Sequence, residues 1–401
     1  MLSPLRSASP LALCALLLLG VLGVPAVAAD PAPTTAQWSV PPSPTNRPQT
    51  DDEAAFGRAN GRPAPVPELL QPTLDPALPS FEPAYASQQL RGDYHCAASD
   101  VLAVLSKTWI QQFNTYYPGV NISVDPPYAG SLGAVELNNG NLDCVFVSRE
   151  LRPSDVQGFH DAFGYDPLSV PISGGSYRQF GFLDAVGFAV NPRNPIDHLS
   201  FDQLDAILST THTRGGQPIT TWGQLGLTGD WADKPIHIYG VQPWNGFEEF
   251  VRQRVLSVDG TRGQWRSAVA TDSTPADPQV HWESTVFKLA AEIADDPYAL
   301  GYTGLAYIDR PVKVLALSEH DADPPVAAAY DEVAAARYPL SRLTYLNMNK
   351  PPAAPLEPAL AELTRFILSQ QGQQVVRDQG LFLPLRATQS LASASVLASA
   401  P

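Results

Sequence analysis

Apolar residues recur along this chain with two different periods, and the switches between them outline alternating strands and helices. Residues 93–96 make a short strand. Residues 100–117 then place Leu102, Leu105, Trp109, Ile110 and Phe113 on one helical face, before Pro118-Gly119 ends the helix. A second strand follows over 120–124. The turn Gly130-Ser131-Leu132-Gly133 feeds a short helix through Leu137, and a third strand runs from Leu142 into Ser148-Arg149. This order predicts a parallel sheet that gathers a ligand site at its strand C-termini. The next strand, 180–190, ends at Asn191-Pro192 and crosses to a second lobe with helices over 201–208 and 247–256 and a strand over 236–239. Residues 299–307 are expected to return the chain, with 312–317 following in the first lobe and helices over 356–372 and 373–379 closing it. One lobe interrupted by another predicts an α/β protein of two lobes, joined by two hinge strands with a ligand cleft between them.

The ends of the chain read differently. Arg6 precedes an apolar run over 11–24 and the small residues Ala26-Val27-Ala28, so 1–28 is expected to be a signal peptide that exports the mature protein to the periplasm, or to full secretion. Residues 29–85 are dense in proline and lack apolar periodicity, which predicts an extended linker or a surface-draped arm. The first lobe is assigned to 86–185 and 301–386 and the second to 186–300. The alanine- and serine-rich segment 387–401 is expected to be a flexible tail.

Composition narrows the chemistry. A formal net charge of −15 over 401 residues argues against nucleic acid or an anionic membrane as partner. It leaves room for a small anion held by neutral dipoles, which depend on local geometry. The glycine-serine turn at Gly130-Ser131 offers N–H groups and a hydroxyl at a helix N-terminus, which is either an anion cradle or a plain capped turn. Histidines and cysteines show no metal-ligand spacing, and no Gly-x-Ser-x-Gly elbow or cofactor loop is present, so neither an enzyme nor a cofactor is expected. Beyond the signal peptide the cysteines are Cys96 and Cys144; on neighbouring strands they could pair, and two buried thiols are the alternative.

The series Ser99-Asp100-Val101, Tyr116-Tyr117-Pro118-Gly119, Gly130-Ser131, Leu142-Asp143, Ser148-Arg149-Glu150-Leu151, Gly301-Tyr302-Thr303-Gly304 and Tyr338-Pro339-Leu340-Ser341-Arg342 resembles the periplasmic phosphate-binding proteins of ABC transporters. These are members of the type II two-lobed solute-binding family. The resemblance spans about 93–385. It implies a monomeric receptor that closes on phosphate or a similar oxyanion and serves the membrane subunits of an ABC permease. It also implies ligand contacts from Ser99, Asp100, Val101, Gly130, Ser131, Ser148 and Arg149. In the second lobe the family pattern is an arginine followed by Asp-Gly-Ser-Gly-Thr, whereas this chain has Gly240-Val241-Gln242-Pro243-Trp244-Asn245-Gly246-Phe247. There only Asn245, Gly246 and the N–H groups opening the helix at Phe247 remain as donors. Asp100 stands where the family has a hydroxyl residue. It would accept the proton of hydrogen phosphate, which sulfate lacks, or form a salt bridge with Arg149 that fills the pocket.

Overall fold

The computed structural model describes residues 72–124, 130–177, 183–242, 246–267, 276–283, 286–308, 310–352 and 354–399. The expected signal peptide, the arm as far as residue 71, and Pro243, Trp244 and Asn245 lie outside the described residues.

The first lobe opens with β1 (Gly92–Ala98), α1 (Ala103–Tyr116), β2 (Val120–Val124), α2 (Gly130–Asn138), β3 (Cys144–Val147), α3 (Pro153–Phe163) and β4 (Leu168–Gly174). Helix α1 buries Leu105, Trp109, Ile110 and Phe113, the face its apolar spacing predicts. Every residue of β3 is buried, as expected of a strand in the interior of a covered sheet. Helix α2 lies so close over β3 that a Cβ at Gly133 would fall 2.6 Å from Val145 Cγ2, so glycine is required there.

The chain then crosses to β5 (Val186–Val190), β6 (His198–Ser200), α4 (Phe201–Leu208), β7 (His237–Val241) and α5 (Gly246–Val251), which continues as a π-helical turn over Arg252–Leu256. There follow β8 (Val280–Glu283), α6 (Leu289–Asp295), β9 (Ala299–Gly304), β10 (Lys313–Val314), β11 (Ala316–Ser318) and α7 (Tyr330–Ala334). It returns through β12 (Leu343–Met348), α8 (Pro358–Leu368), α9 (Gln370–Gln379) and α10 (Ala387–Ser399).

Two five-stranded sheets result, ordered β2-β1-β3-β12-β4 and β10-β5-β9-β7-β8, each with its own core. In the first, β2, β1 and β3 run parallel, while β12 is antiparallel to both β3 and β4. In the second, β7 is parallel to β8 and β9, and β5 is antiparallel to β9. The architecture is therefore α/β and two-lobed.

The return crossing lies later than the sequence suggested. Residues 299–307 are not a return strand, because β9 pairs with β5 from Val186↔Gly304 to Val190↔Leu300 inside the second sheet. Residues 312–317 also stay in the second lobe, where β10 pairs with β5 and β11 with β6. The second lobe thus extends to about residue 340, and its buried core includes Leu317, Val333 and Leu340. A pattern of apolar residues marks a strand without marking its sheet, so this boundary was invisible to periodicity. The two crossings run side by side: Gly175 N–H donates to Arg342 O (2.6 Å), Val186 N–H to Leu340 O (3.2 Å), and the Tyr338 hydroxyl to Val186 O (3.0 Å).

The tail is also corrected. Residues 387–399 form α10, whose Ser390 hydroxyl donates to Leu368 O (2.6 Å) and whose Ala394 and Leu397 pack on the first core. The end of the arm docks beside it: the Phe81 ring meets Tyr116 and Phe366 edge-on, at 5.0 and 5.3 Å between centroids. Cys96 and Cys144 stand opposite each other in the β1–β3 register and are joined by a disulfide.

Candidate functional site

The C-terminal ends of β1 and β3 lie next to each other, so the residues that follow them meet. Ser99, directly after β1, is buried, and its N–H donates to Phe146 O (2.8 Å). Its hydroxyl oxygen accepts the N–H of Ser148, directly after β3, at 3.3 Å. An oxygen engaged as acceptor keeps its own proton for donation, so this junction presents a hydroxyl at the strand edge. Ser99 also precedes a 3-10 turn over Asp100–Leu102 that runs into α1; the Leu102 N–H donates to Ser99 O and the Ala103 N–H to Asp100 O, which leaves the Asp100 N–H at the same edge. Asp100 is exposed, and one of its oxygens accepts the N–H of Val101 (2.8 Å). Gly130 and Ser131 open α2, whose next turn lies over β3; the Ser131 side chain is outside the described residues.

Arg149 does not take Asp100 as its ion-pair partner. Its guanidinium donates to Asp155 Oδ2 (2.8 Å) and to Glu150 O (2.8 Å), and Asp155 also accepts the N–H of Arg152 (2.9 Å) at the start of α3. The Asp100–Arg149 bridge weighed from sequence is therefore replaced. Asp155, a helix-capping carboxylate four residues beyond Leu151, was available to reach back.

The second lobe brings different groups. Gly246 opens α5. The Phe247 ring packs edge-on against Tyr307 (5.7 Å), and a Cβ on Gly304 would fall 2.8 Å from it. Phe247 is thereby a packing residue of this lobe; its N–H is what it can offer to a ligand. Buried Glu248 accepts from the Trp265 indole N–H (2.5 Å) and pairs with Arg252. Burial raises the Glu249 carboxyl, but the hydrogen bond and charge of Arg262 outweigh it and hold the group below its usual range.

Groups the sequence reading gave no role join the lobes. Arg254 reaches Glu150 of the first lobe (3.9 Å) and Glu319 of the second (3.4 Å), and Arg152 reaches Glu249 (3.9 Å). Within the first lobe the Tyr345 hydroxyl donates to Glu150 (3.1 Å), the partner of Arg254. Arg342, on the return crossing, stacks over Phe250 at 4.5 Å and Phe247 at 5.8 Å. No local pattern marks these residues, because their partners are separated by up to 195 positions. Among the described residues no cluster of three or more His, Cys, Asp or Glu side chains could hold a metal, and no helix is long and apolar enough to cross a membrane.

Residues 83–371 match the model of the PBP superfamily domain. Phosphate-binding protein PstS from two strains of Pseudomonas aeruginosa is 32% identical over 316 residues, covering 78% of this chain and 88% of theirs. Among solved structures, PstS from Borrelia burgdorferi aligns with 17% identity over 74% of this chain and 100% of its own, with a TM-score of 0.48. An ABC-type phosphate transport receptor from Vibrio cholerae aligns with 17% identity over 73% and 99%, with a TM-score of 0.46.

Proposed function

The chain belongs to the PBP superfamily and, within it, to the phosphate-binding protein family, and from that membership we propose that it binds phosphate for uptake by an ABC-type permease. The observation that carries the reading is the Ser99–Ser148 junction, where a buried hydroxyl and the turn that opens α1 meet at the strand edge. Such neutral donors hold an oxyanion in a chain of net negative charge. In this reading the hydroxyls of Ser99 and Ser148 donate to the anion together with Gly130 and Ser131, while the Val101 N–H, engaged by Asp100 Oδ1, orients that carboxylate. Arg149, fixed by Asp155, supplies positive charge beside them, and Asp100 accepts the proton of hydrogen phosphate. Asn245, Gly246 and the Phe247 N–H complete the site from the second lobe. The ligand shifts the lobes toward closure through its greater affinity for the closed form. The protein acts as an exported, monomeric periplasmic receptor and not as an enzyme.

A second reading is favoured by one observation. Phe247 replaces a hydroxyl residue of the family pattern and packs on Gly304 and Tyr307, which suits a divergent binding module with another ligand or a protein partner. Calorimetry separates the two. Protein stripped of ligand by unfolding and refolding is expected to bind phosphate with a Kd of micromolar or tighter, about −8 kcal/mol, and to ignore sulfate. Arg149→Ala and Ser99→Ala should each weaken phosphate at least about tenfold, the loss of one charge-assisted or buried hydrogen bond. Silence toward phosphate in the refolded wild type would reject the first reading in favour of the second.

A further inference from the structure

A cavity of about 360 Å³ lies beside the hinge crossings, lined from the first lobe by Arg149 and Tyr345 and from the second by Phe250 and Arg254, with Ser341 and Arg342 on the crossing itself. Its volume falls within the range of about 300–1,000 Å³ typical of sites for small organic ligands. Its charges are nearly all spoken for. Arg149 is paired with Asp155, Arg254 with Glu319, and the rim residue Arg337 with Glu332 through two hydrogen bonds.

Arg342 is the exception. Its guanidinium makes no hydrogen bond or ion pair among the described residues; its contacts are the faces of Phe250 and Phe247. Burial pulls its pKa down to about 10, and the charge of Asp184 opposes that fall, so the group stays cationic at neutral pH. Asp184 itself accepts the N–H of Ala306. With a ring covering one face, the N–H edge of the guanidinium is the side that can receive a ligand, in the fork geometry suited to a carboxylate or a phosphoryl group. The adjacent Ser341 hydroxyl is buried and also lacks a hydrogen-bond partner, although a buried hydroxyl ordinarily has one. Two neighbouring polar groups without partners thus line one cavity.

We propose that this cavity is a second binding site, adjoining the strand-edge cradle at Arg149, for a small organic oxyanion held by the Arg342 fork and the Ser341 hydroxyl. The oxyanion is a phosphate monoester or a carboxylate, since the two share the chemistry that the fork reads. The inference goes beyond the phosphate reading and stands without it.

The test is calorimetry on the mature chain with glycerol 3-phosphate, succinate and inorganic phosphate as separate probes, on wild type, Arg342→Gln, Arg342→Lys, Ser341→Ala and Ser99→Ala. Wild type is expected to bind at least one organic probe, and which one identifies the oxyanion. Arg342→Gln should weaken that binding about tenfold or more and Ser341→Ala about threefold, the worth of a charged and of a neutral hydrogen bond. Arg342→Lys should also weaken it, because an ammonium cannot form the fork. Ser99→Ala should lower the affinity for inorganic phosphate and leave the organic probe unchanged. The proposal is overturned if neither organic probe binds wild type, or if the one that binds keeps its affinity in folded Arg342→Gln, whatever Ser99→Ala does. Should Arg342→Gln lose its far-ultraviolet dichroism, Arg342→Lys and Ser341→Ala decide the matter, and unchanged affinity in both rejects the site. Failure of inorganic phosphate alone would count against the cradle and not against this cavity.

Discussion

The two lobes meet the cleft with opposite materials. The first presents strand ends, backbone N–H groups and the buried hydroxyl of Ser99, all positioned by hydrogen bonds between β1 and β3. The second presents rings and ion pairs: Phe247 on Tyr307, Phe250 under Arg342, and Glu248 and Glu249 each holding an arginine. A face made of backbone donors recognises an anion without carrying net charge, and its geometry is fixed by the sheet. A face made of side-chain pairs depends on rotamers, solvent and pH. Recognition by this fold therefore has a rigid half and an adjustable half.

If that contrast is right, cutting the brace of the rigid half should have the largest effect. The Cys96–Cys144 disulfide links β1 and β3 directly below the Ser99–Ser148 junction and closes a loop of 48 residues. A chain-entropy treatment of such a loop gives about 4 kcal/mol. Replacing both cysteines with alanine should destabilise the first lobe by that order in urea unfolding. Hydrogen exchange should speed in β1, β2 and β3 while β7 and β9 keep their protection. Equal acceleration in both sheets would mean that the lobes unfold as one unit and the contrast is only local.

Legibility in the sequence followed the same division. The βαβαβ order and the meeting of Ser99, Ser148 and Arg149 could be read because helix periodicity, strand ends and a parallel sheet are local or topological rules. The partner of Arg149 could not, since the β1–β3 pairing brings Asp100 to the same sheet edge while Asp155 is close in sequence, and only the α3 capping turn selects the second. The position of β9 was also out of reach. Ala299–Gly304 is buried throughout, so its apolar run carries no sign of whether it pairs with β5 or crosses to the other sheet. Helix α10 hid for another reason: its alanines and serines give no strong apolar stripe, and it is held by Ser390, Ala394 and Leu397 against residues far away in sequence.

An effect of intermediate size comes from pH, and its sign differs between the lobes. In the second lobe, desolvation first and then the hydrogen bond and charge of Glu283 push the Glu292 carboxyl from 4.5 up to about 7, with Lys288 opposing. The folded state then binds more protons than the unfolded state between those values. Stability of this lobe should fall as pH rises from about 4.5 to about 7 and level off above. Glu292→Gln should flatten that slope. In the first lobe, backbone hydrogen bonds from Ala387 and Ala77 hold the Asp75 carboxyl below its usual range, so the docking of the arm on α10 is present above the ordinary aspartate pKa and is lost as pH falls below it. Hydrogen exchange of β8 and α6 against that of α10, followed from about pH 2 to about pH 8, reads both signs; parallel slopes would remove electrostatics as a difference between the halves.

The smallest effect should come from the ion pairs that join the two faces. Arg254 with Glu150 and Arg152 with Glu249, each at 3.9 Å, connect opposite lobes and must separate when the cleft opens. Arg254 and Glu150 are partly exposed, and exposed pairs contribute about 0.5 kcal/mol, reduced further by salt. Arg254→Ala should therefore raise the open-to-closed ratio about twofold at low ionic strength and hardly at all near 1 M salt. Interlobe distance measured by fluorescence transfer between labels on α3 and α4 would follow this. A much larger opening would mean that the adjustable half holds the lobes together by itself. No opening at any salt concentration would leave closure to Arg342, its rings and the paired crossings at Gly175 and Val186, where backbone hydrogen bonds carry the hinge as they carry the cradle.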